Sequence, residues 1–181
     1  MQCTECNPVM LAATGREKMA FSSLASPFEL TESTRRIVVV YKDGGEQRLA
    51  REMAQYMARY LSPEIASEVA GVTFIPATRK ARARRGFDHA ELLAQEVGLA
   101  IGRPVFSLLS SPHAHDQRAL SRRARMGNMA HAISATPGAS VPESILLIDD
   151  VCTTGATLFA AYDAIREAGG HDVHCLTFAR A

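Results

Sequence analysis

Ile145-Leu146-Leu147-Ile148-Asp149-Asp150-Val151-Cys152-Thr153-Thr154-Gly155-Ala156-Thr157 is the stretch that decides the fold. Four aliphatic residues in a row make a strand buried on both faces. Two carboxylates follow at its C-terminal end, the edge of an open α/β sheet where ligands bind. A loop of small and hydroxylated residues comes next. It opens a helix whose face is Leu158, Ala161, Tyr162, Ile165 and Ala168, closed by Gly169-Gly170. Small side chains let backbone N–H groups approach an anion, and a helix N-terminus favours phosphate. Carboxylates suit sugar hydroxyls or a hydrated Mg²⁺. Together the acid pair and the anion cradle match a phosphorylated sugar. The alternative is a plain βα loop, with both acids solvated and a threonine capping the helix. The residue order is neither G-x-G-x-x-G nor G-x4-G-K-[ST], so dinucleotide and P-loop readings find no support.

Working outward, Val173 to Phe178 reads as the last strand, Val72 to Ile75 as a short one closed by Pro76, and Val105 to Leu109 as another. Asp88 is placed to cap a helix with Ala90, Leu93, Ala94, Val97 and Ile101 on one face, stopped by Gly102-Arg103-Pro104. Ile37 to Tyr41 fits a buried strand or the start of a helix, and Asp43-Gly44-Gly45 signals a turn. A helix is expected from about Glu46, with Leu49, Met53, Tyr56, Met57 and Tyr60 on one face, ending at Ser62-Pro63. Residues 1–34 are irregular in pattern, and residues 110–135 are polar and basic with weak periodicity, a long loop with some helix. Strands alternating with helices imply an α/β architecture with a parallel sheet. The division expected is an irregular segment over 1–34 and one domain over 35–181.

At 181 residues and 47% apolar composition, the chain can bury a core without staples and is not a disordered one. Twenty basic against nineteen acidic residues exclude a globally basic nucleic-acid coat and an acidic tail. The longest aliphatic runs fall far short of a membrane span, and Val9 to Ala13 lacks the basic lead-in of a signal peptide, so the expected location is the cytoplasm. Cys3 and Cys6 form a C-x2-C, half of a zinc ribbon without its second half. They read as free thiols rather than zinc ligands. His113-x-His115 reads as loop, and His171 and His174 as structural residues beside the last strand.

The stretch from Ile145 to Thr157 resembles the phosphoribosyl-pyrophosphate (PRPP) motif of type I phosphoribosyltransferases. Further residues are similar to the ComF (competence protein F) branch: Arg85-Gly86-Phe87-Asp88-His89-Ala90-Glu91-Leu92-Leu93-Ala94, the spacing of Gln117, Leu120, Arg125 and Asn128, and the lysine segment Tyr41-Lys42-Asp43-Gly44. The resemblance covers roughly residues 35–181. Asp88 and His89 stand where that branch usually has Asn and Gln, and Ile133 where it has Phe. Its N-terminal zinc module is reduced here to Cys3 and Cys6.

The resemblance implies a type I phosphoribosyltransferase-like α/β fold, an open, mainly parallel sheet flanked by helices with a long flexible loop. It implies that Asp149 and Asp150 meet the ribose hydroxyls and that Thr153, Thr154, Gly155, Ala156 and Thr157 hold the 5′-phosphate. Ala77, Thr78, Arg79 and Arg82 would receive the pyrophosphate, and Gln117, Arg118, Arg122, Arg125 and Asn128 would belong to the flexible loop. Asp149, Asp150 and Arg85 form the expected catalytic set, with Mg²⁺ carried by PRPP near the two acids. An acid stands at the position of Thr153 in purine-salvage relatives, so the threonine argues against that subclass. The expected partners are PRPP, an acceptor and a second copy of the chain.

The basic residues are concentrated. Residues 79–85 hold five and residues 118–125 hold four, leaving eleven against all nineteen acids elsewhere. Both tracts read as loops that supply charge to a polyanion, since Arg binds phosphate oxygens bidentately. The alternative expectation is a non-catalytic protein of the same fold that senses PRPP or handles single-stranded DNA in competence. With no Trp and 6% aromatic residues, a base-stacking platform is poorly supplied.

Overall fold

The structure, a computed structural model, describes residues 22–111 and 133–181. Cys3, Cys6, His113, His115, Gln117, Arg118, Arg122, Arg125 and Asn128 lie outside the described residues, and with them the flexible-loop and zinc expectations.

Strand β6 (Ser144–Cys152) and strand β7 (Asp172–Arg180) form the centre of a parallel sheet, joined by helix α6 (Ala156–Glu167). On the other side of β6 lies β3 (Val72–Phe74), in register with Leu146 to Ile148. On the outer side of β7 lie β1 (Ser23–Ala25) and β2 (Phe28–Glu29), giving the order β1-β7-β6-β3 with β2 also on β7. A two-stranded antiparallel pair, β4 (Leu109–Ser110) and β5 (Ser134–Ala135), stands apart. Among the described residues no helix is long and apolar enough to cross a membrane.

The period of two along the central strands makes two cores from one sheet. Leu146, Ile148, Leu176 and Phe178 pack under helices α1 (Glu32–Lys42), α2 (Leu49–Tyr60) and α5 (His89–Ile101). Ile145, Leu147, Val173 and Cys175 pack under α6. All four residues from Ile145 to Ile148 are fully buried, each contributing roughly 1.5–3 kcal/mol of apolar transfer. A short helix, α3 (Pro63–Glu68), started by Ser62, leads into β3.

Of the two readings open for Ile37 to Tyr41 the helix is the one found, because Thr31 caps α1 and only Val38 and Tyr41, three apart, turn inward. Three other sequence readings are corrected. The tract Arg79–Arg85 is helix α4 rather than loop: Thr78 caps it, Arg, Lys and Ala are strong helix formers, and its cations cluster at the end the helix dipole favours. On α2 the inward face is Ala50, Met53, Ala54 and Met57. Tyr56 and Tyr60 face outward, Tyr56 packing edge-on against Phe28 at 5.4 Å. Val105 makes a single parallel bridge to Val72 instead of opening a strand that runs to Leu109. In addition, residues 23–34 are ordered by the sheet and α1, although their own pattern is irregular.

At Gly98, helix α5 lies against the segment that follows it, whose Arg103 N–H donates to the Gly98 carbonyl at 2.9 Å. A Cβ there would stand 2.8 Å from the Arg103 carbonyl oxygen and 2.9 Å from Val105 Cγ2. The backbone contact cannot swing aside. Gly98→Ala is expected to lower stability by about 1–3 kcal/mol, measured by urea denaturation, despite alanine's better helix propensity.

His174 ties β7 to β1 through Nδ1, 2.8 Å from Ser23 Oγ, while its Nε2 is buried without a hydrogen bond among the described residues. Burial pushes its pKa below the usual 6.5, against the pull of Glu68 and Asp172. The native state therefore keeps it neutral, and on acidification the unfolded chain takes up this proton first. Its stabilising contribution is complete above pH 6.5 and declines below it. Urea midpoints at pH 7.5 and 5.5 should differ less in His174→Gln than in the wild type. Equal differences would remove His174 from this account.

Candidate functional site

The C-terminal edge of β6 opens into a cleft of about 500 Å³, lined from four directions. Asp149, Asp150 and Val151 come from β6, and Thr153 and Thr157 from the turn into α6. Ile75, Pro76, Ala77, Thr78, Ala81 and Arg85 come from the β3–α4 region, and His89 opens α5. Leu30, Arg35, Val38, Val39 and Lys42 come from the chain around α1.

Asp150 continues the strand face of Leu146 and Ile148, so it points toward α1 and α5. Its carboxylate is almost wholly buried, with Lys42 Nζ at 2.9 Å from Oδ1 and 2.6 Å from Oδ2. His89 Nε2 lies 3.7 Å from Oδ2. Asp149 is half-buried, and its Oδ1 accepts the Asp150 N–H at 2.8 Å. Loss of solvation and then the adjacent Asp150 charge push the Asp149 carboxyl well above its usual pKa, with Lys42 opposing. Burial lowers the pKa of His89 despite the nearby Asp150.

These contacts form a circuit. Lys42 holds Asp150, Asp150 faces His89, His89 Nδ1 is 3.3 Å from Arg85 Nη1, and Arg85 Nε donates to Asp43 Oδ1 at 3.1 Å. Asp43 is the residue after Lys42 and also takes Arg84 at 2.8 Å. An arginine can only donate, so Nδ1 of His89 is the acceptor and Nε2 carries the proton, aimed at Asp150. His89, Asp149 and Asp150 offer ligand atoms within 4.8 Å of one another. However, the tautomer and the Lys42 ammonium both oppose direct ligation of a cation by His89. The oxygens of the acid pair fit a hard cation such as Mg²⁺.

Asp88 ties the site to the scaffold. Its Oδ2 accepts the Ala77 N–H at 2.8 Å, and its Oδ1 accepts those of Ala90 and Glu91, capping α5. Tyr41 Oη donates to the His89 carbonyl, which fixes α1 against α5. Burial, then the nearby Asp150 and Asp88 charges, push the Tyr41 hydroxyl pKa up. At the other end, Gly155 takes a φ of 73° to turn the strand into α6, and it supplies no side-chain cap. Thr154 Oγ1 accepts the Ala156 N–H at 3.4 Å.

Of the residues singled out in sequence, Asp149, Asp150, Thr153, Thr157, Ala77, Thr78 and Arg85 line this one cleft. Thr154, Gly155 and Ala156 shape the turn beside it. Arg79 and Arg82 are exposed on α4 outside the lining, and Arg82 pairs with Glu91 at 3.4 Å. Lys42 and His89 also line the cleft and lie outside the expected site set, although both fall in the segments Tyr41–Gly44 and Arg85–Ala94 that carry the ComF resemblance, the one signal in the sequence that could have found them.

No family model matches the chain. In sequence it is 32% identical over 108 residues to the competence protein ComFC of Streptococcus pneumoniae, covering 59% of this chain and 46% of that protein. It is 32% identical over 102 residues to competence protein F of Haemophilus influenzae, covering 54% and 44%. The chain thus spans under half the length of these relatives. In structure it resembles the glutamine PRPP amidotransferase of B. subtilis, with a TM-score of 0.51 and 20% identity over 70% of this chain and 25% of that one. It also resembles the allosteric regulatory enzyme of purine biosynthesis, with a TM-score of 0.50 and 22% identity over 71% and 25%. The chain is ComF-like in sequence and has the type I phosphoribosyltransferase fold. In this ComF-like chain the Asp88-His89 pair does two jobs: the aspartate anchors the Ala77 loop and the histidine completes the circuit to Asp150.

Proposed function

We propose that this chain binds PRPP with Mg²⁺ in the β6 cleft and transfers its phosphoribosyl group to an acceptor, releasing pyrophosphate. The observation that carries the reading is the meeting, in one cleft, of the acid pair, the threonine turn and the Ala77–Thr78 loop with Arg85. Asp149 and Asp150 would accept hydrogen bonds from the ribose hydroxyls. The N–H groups at the start of α6, with Thr153 and Thr157, would hold the 5′-phosphate. The backbone of Ala77 and Thr78 and the guanidinium of Arg85 would receive the pyrophosphate. Mg²⁺ bound with PRPP would offset charge on that leaving group.

In the reaction the bond from the anomeric carbon to pyrophosphate breaks, and pyrophosphate takes the electron pair. A lone pair of the acceptor forms the new bond, and the proton it displaces goes to solvent. The intervening state is oxocarbenium-like, so the residues that matter are those that orient and neutralise. Lys42 and Arg85 share their charge with Asp150 and Asp43, which offsets part of the positive charge that a polyanion would meet. The test is pyrophosphate release from PRPP with a panel of nucleobases, amines and ring carboxylates. Release that depends on both PRPP and one acceptor supports transfer, and none with any acceptor counts against it.

A second reading is favoured by the exposed basic face of α4 and by relatives named as competence proteins: a PRPP-fold accessory that binds single-stranded DNA. Such binding is electrostatic and weakens steeply with salt. Fluorescence anisotropy of a labelled single strand at 50 and 200 mM salt separates the two. Binding that is absent even at low salt eliminates the DNA role.

A further inference from the structure

The cleft has two unlike walls. The β3–α4 side and the start of α5 present backbone, hydroxyl and cationic groups. The α1 side presents Leu30, Val38 and Val39, with Val151 of β6 beside them, and Val39 remains 50% exposed although it is aliphatic. Arg35, Val38, Val39 and Lys42 follow one another at positions i, i+3, i+4 and i+7, so one face of α1 makes the wall, with a cation at each end. The inner cation, Lys42, is spent on Asp150. Arg85, across the cleft, is held by Asp43 and His89. Arg35 has no side-chain partner among the described residues and stands at the mouth.

We propose that this wall is the acceptor subsite, and that it takes a molecule with an apolar ring or chain as its body and a carboxylate at its end, the carboxylate seated on Arg35. The inference rests on the PRPP reading of the opposite wall and names the substrate class of the same site. The α1 wall carries no amide, hydroxyl or acid side chain with which to read the polar edge of a neutral base. Its three aliphatic residues, with Val151 of β6 beside them, favour an apolar body. The planar fork of Arg35 matches a carboxylate in two parallel hydrogen bonds, and it repels an amine.

The experiment compares matched pairs of probes, the carboxylate and the carboxamide of benzene, pyridine, pyrimidine and imidazole rings. Binding to the full chain is measured by titration calorimetry with and without PRPP and Mg²⁺. At least one ring is expected to bind about tenfold or more tightly as the carboxylate, the value of one charge-assisted contact. Arg35→Gln should bring that pair within about twofold, while Arg36→Gln, exposed and off the cleft, keeps the preference. No ring preferring its carboxylate, or a preference surviving in Arg35→Gln, overturns the assignment. The rise in melting temperature with PRPP is read on the same samples. If it is missing from the wild type, the PRPP reading fails, and the carboxylate comparison is judged on its own. If it is present in the wild type and lost in Arg35→Gln, Arg35 belongs to PRPP and the acceptor assignment is overturned.

Discussion

Replacing Asp149 and Asp150 together by asparagine is expected to abolish the stabilisation that the proposed binding of PRPP with Mg²⁺ would give the wild-type chain. A ligand that binds only the native state at a hundred times its dissociation constant adds about 2.7 kcal/mol, or roughly 5–10 °C in melting temperature for a domain of this size. The double variant is expected to show less than about a degree. It should still fold. The carboxylates sit side by side at the end of a buried strand, and their mutual repulsion raises the Asp149 pKa. Removing both relieves that repulsion, and Lys42, which retains contact with solvent, is not stranded. The unliganded melting temperature of the double variant should therefore equal or exceed that of the wild type, as is common when a ligand-binding strain is removed. A large loss of unliganded stability would show that the acids hold the fold rather than the ligand.

Lys42→Met has the opposite signature. It leaves Asp150 buried without its ammonium, and truncating one partner of a buried ion pair is strongly destabilising. The expected loss is about 2–3 kcal/mol at neutral pH, read from urea denaturation. The sign of its pH dependence follows from the acids. With the cation gone, less opposes the burial and the Asp150 charge that already raise the Asp149 carboxyl, so the native state holds that proton still more tightly than the unfolded chain does. That stabilising protonation is present at low pH and lost as pH rises, so the deficit is greater at pH 8 than at pH 5. Combined with Asp149→Asn and Asp150→Asn, Lys42→Met should cost far less than it does alone. Additive losses would mean that Lys42 acts through packing and not through Asp150.

Much of this architecture is legible one residue at a time. The buried strand at Ile145 to Ile148, the glycine turn at Gly155 and the Asp88 cap of α5 each follow from local pattern. Elements held by distant partners are not legible in this way. β1 and β2 are three and two residues long, and pairing with β7, about 150 residues away, makes them strands. The contact between Lys42 and Asp150 joins residues 108 apart, so periodicity carries no trace of it. The basic tract misled for a different reason. Five cations read as a loop that supplies charge to a polyanion, yet Arg, Lys and Ala are strong helix formers, Thr78 caps the helix, and Glu91 and Asp43 pair with three of its arginines.

The central claim is that this cleft is built for PRPP, and the most direct measurement is the melting temperature of the wild-type chain with PRPP and Mg²⁺ added together and separately. The expected result is a rise of several degrees with the pair, a smaller one with PRPP alone and none with Mg²⁺ alone. An unchanged melting temperature at millimolar PRPP with Mg²⁺ would contradict it.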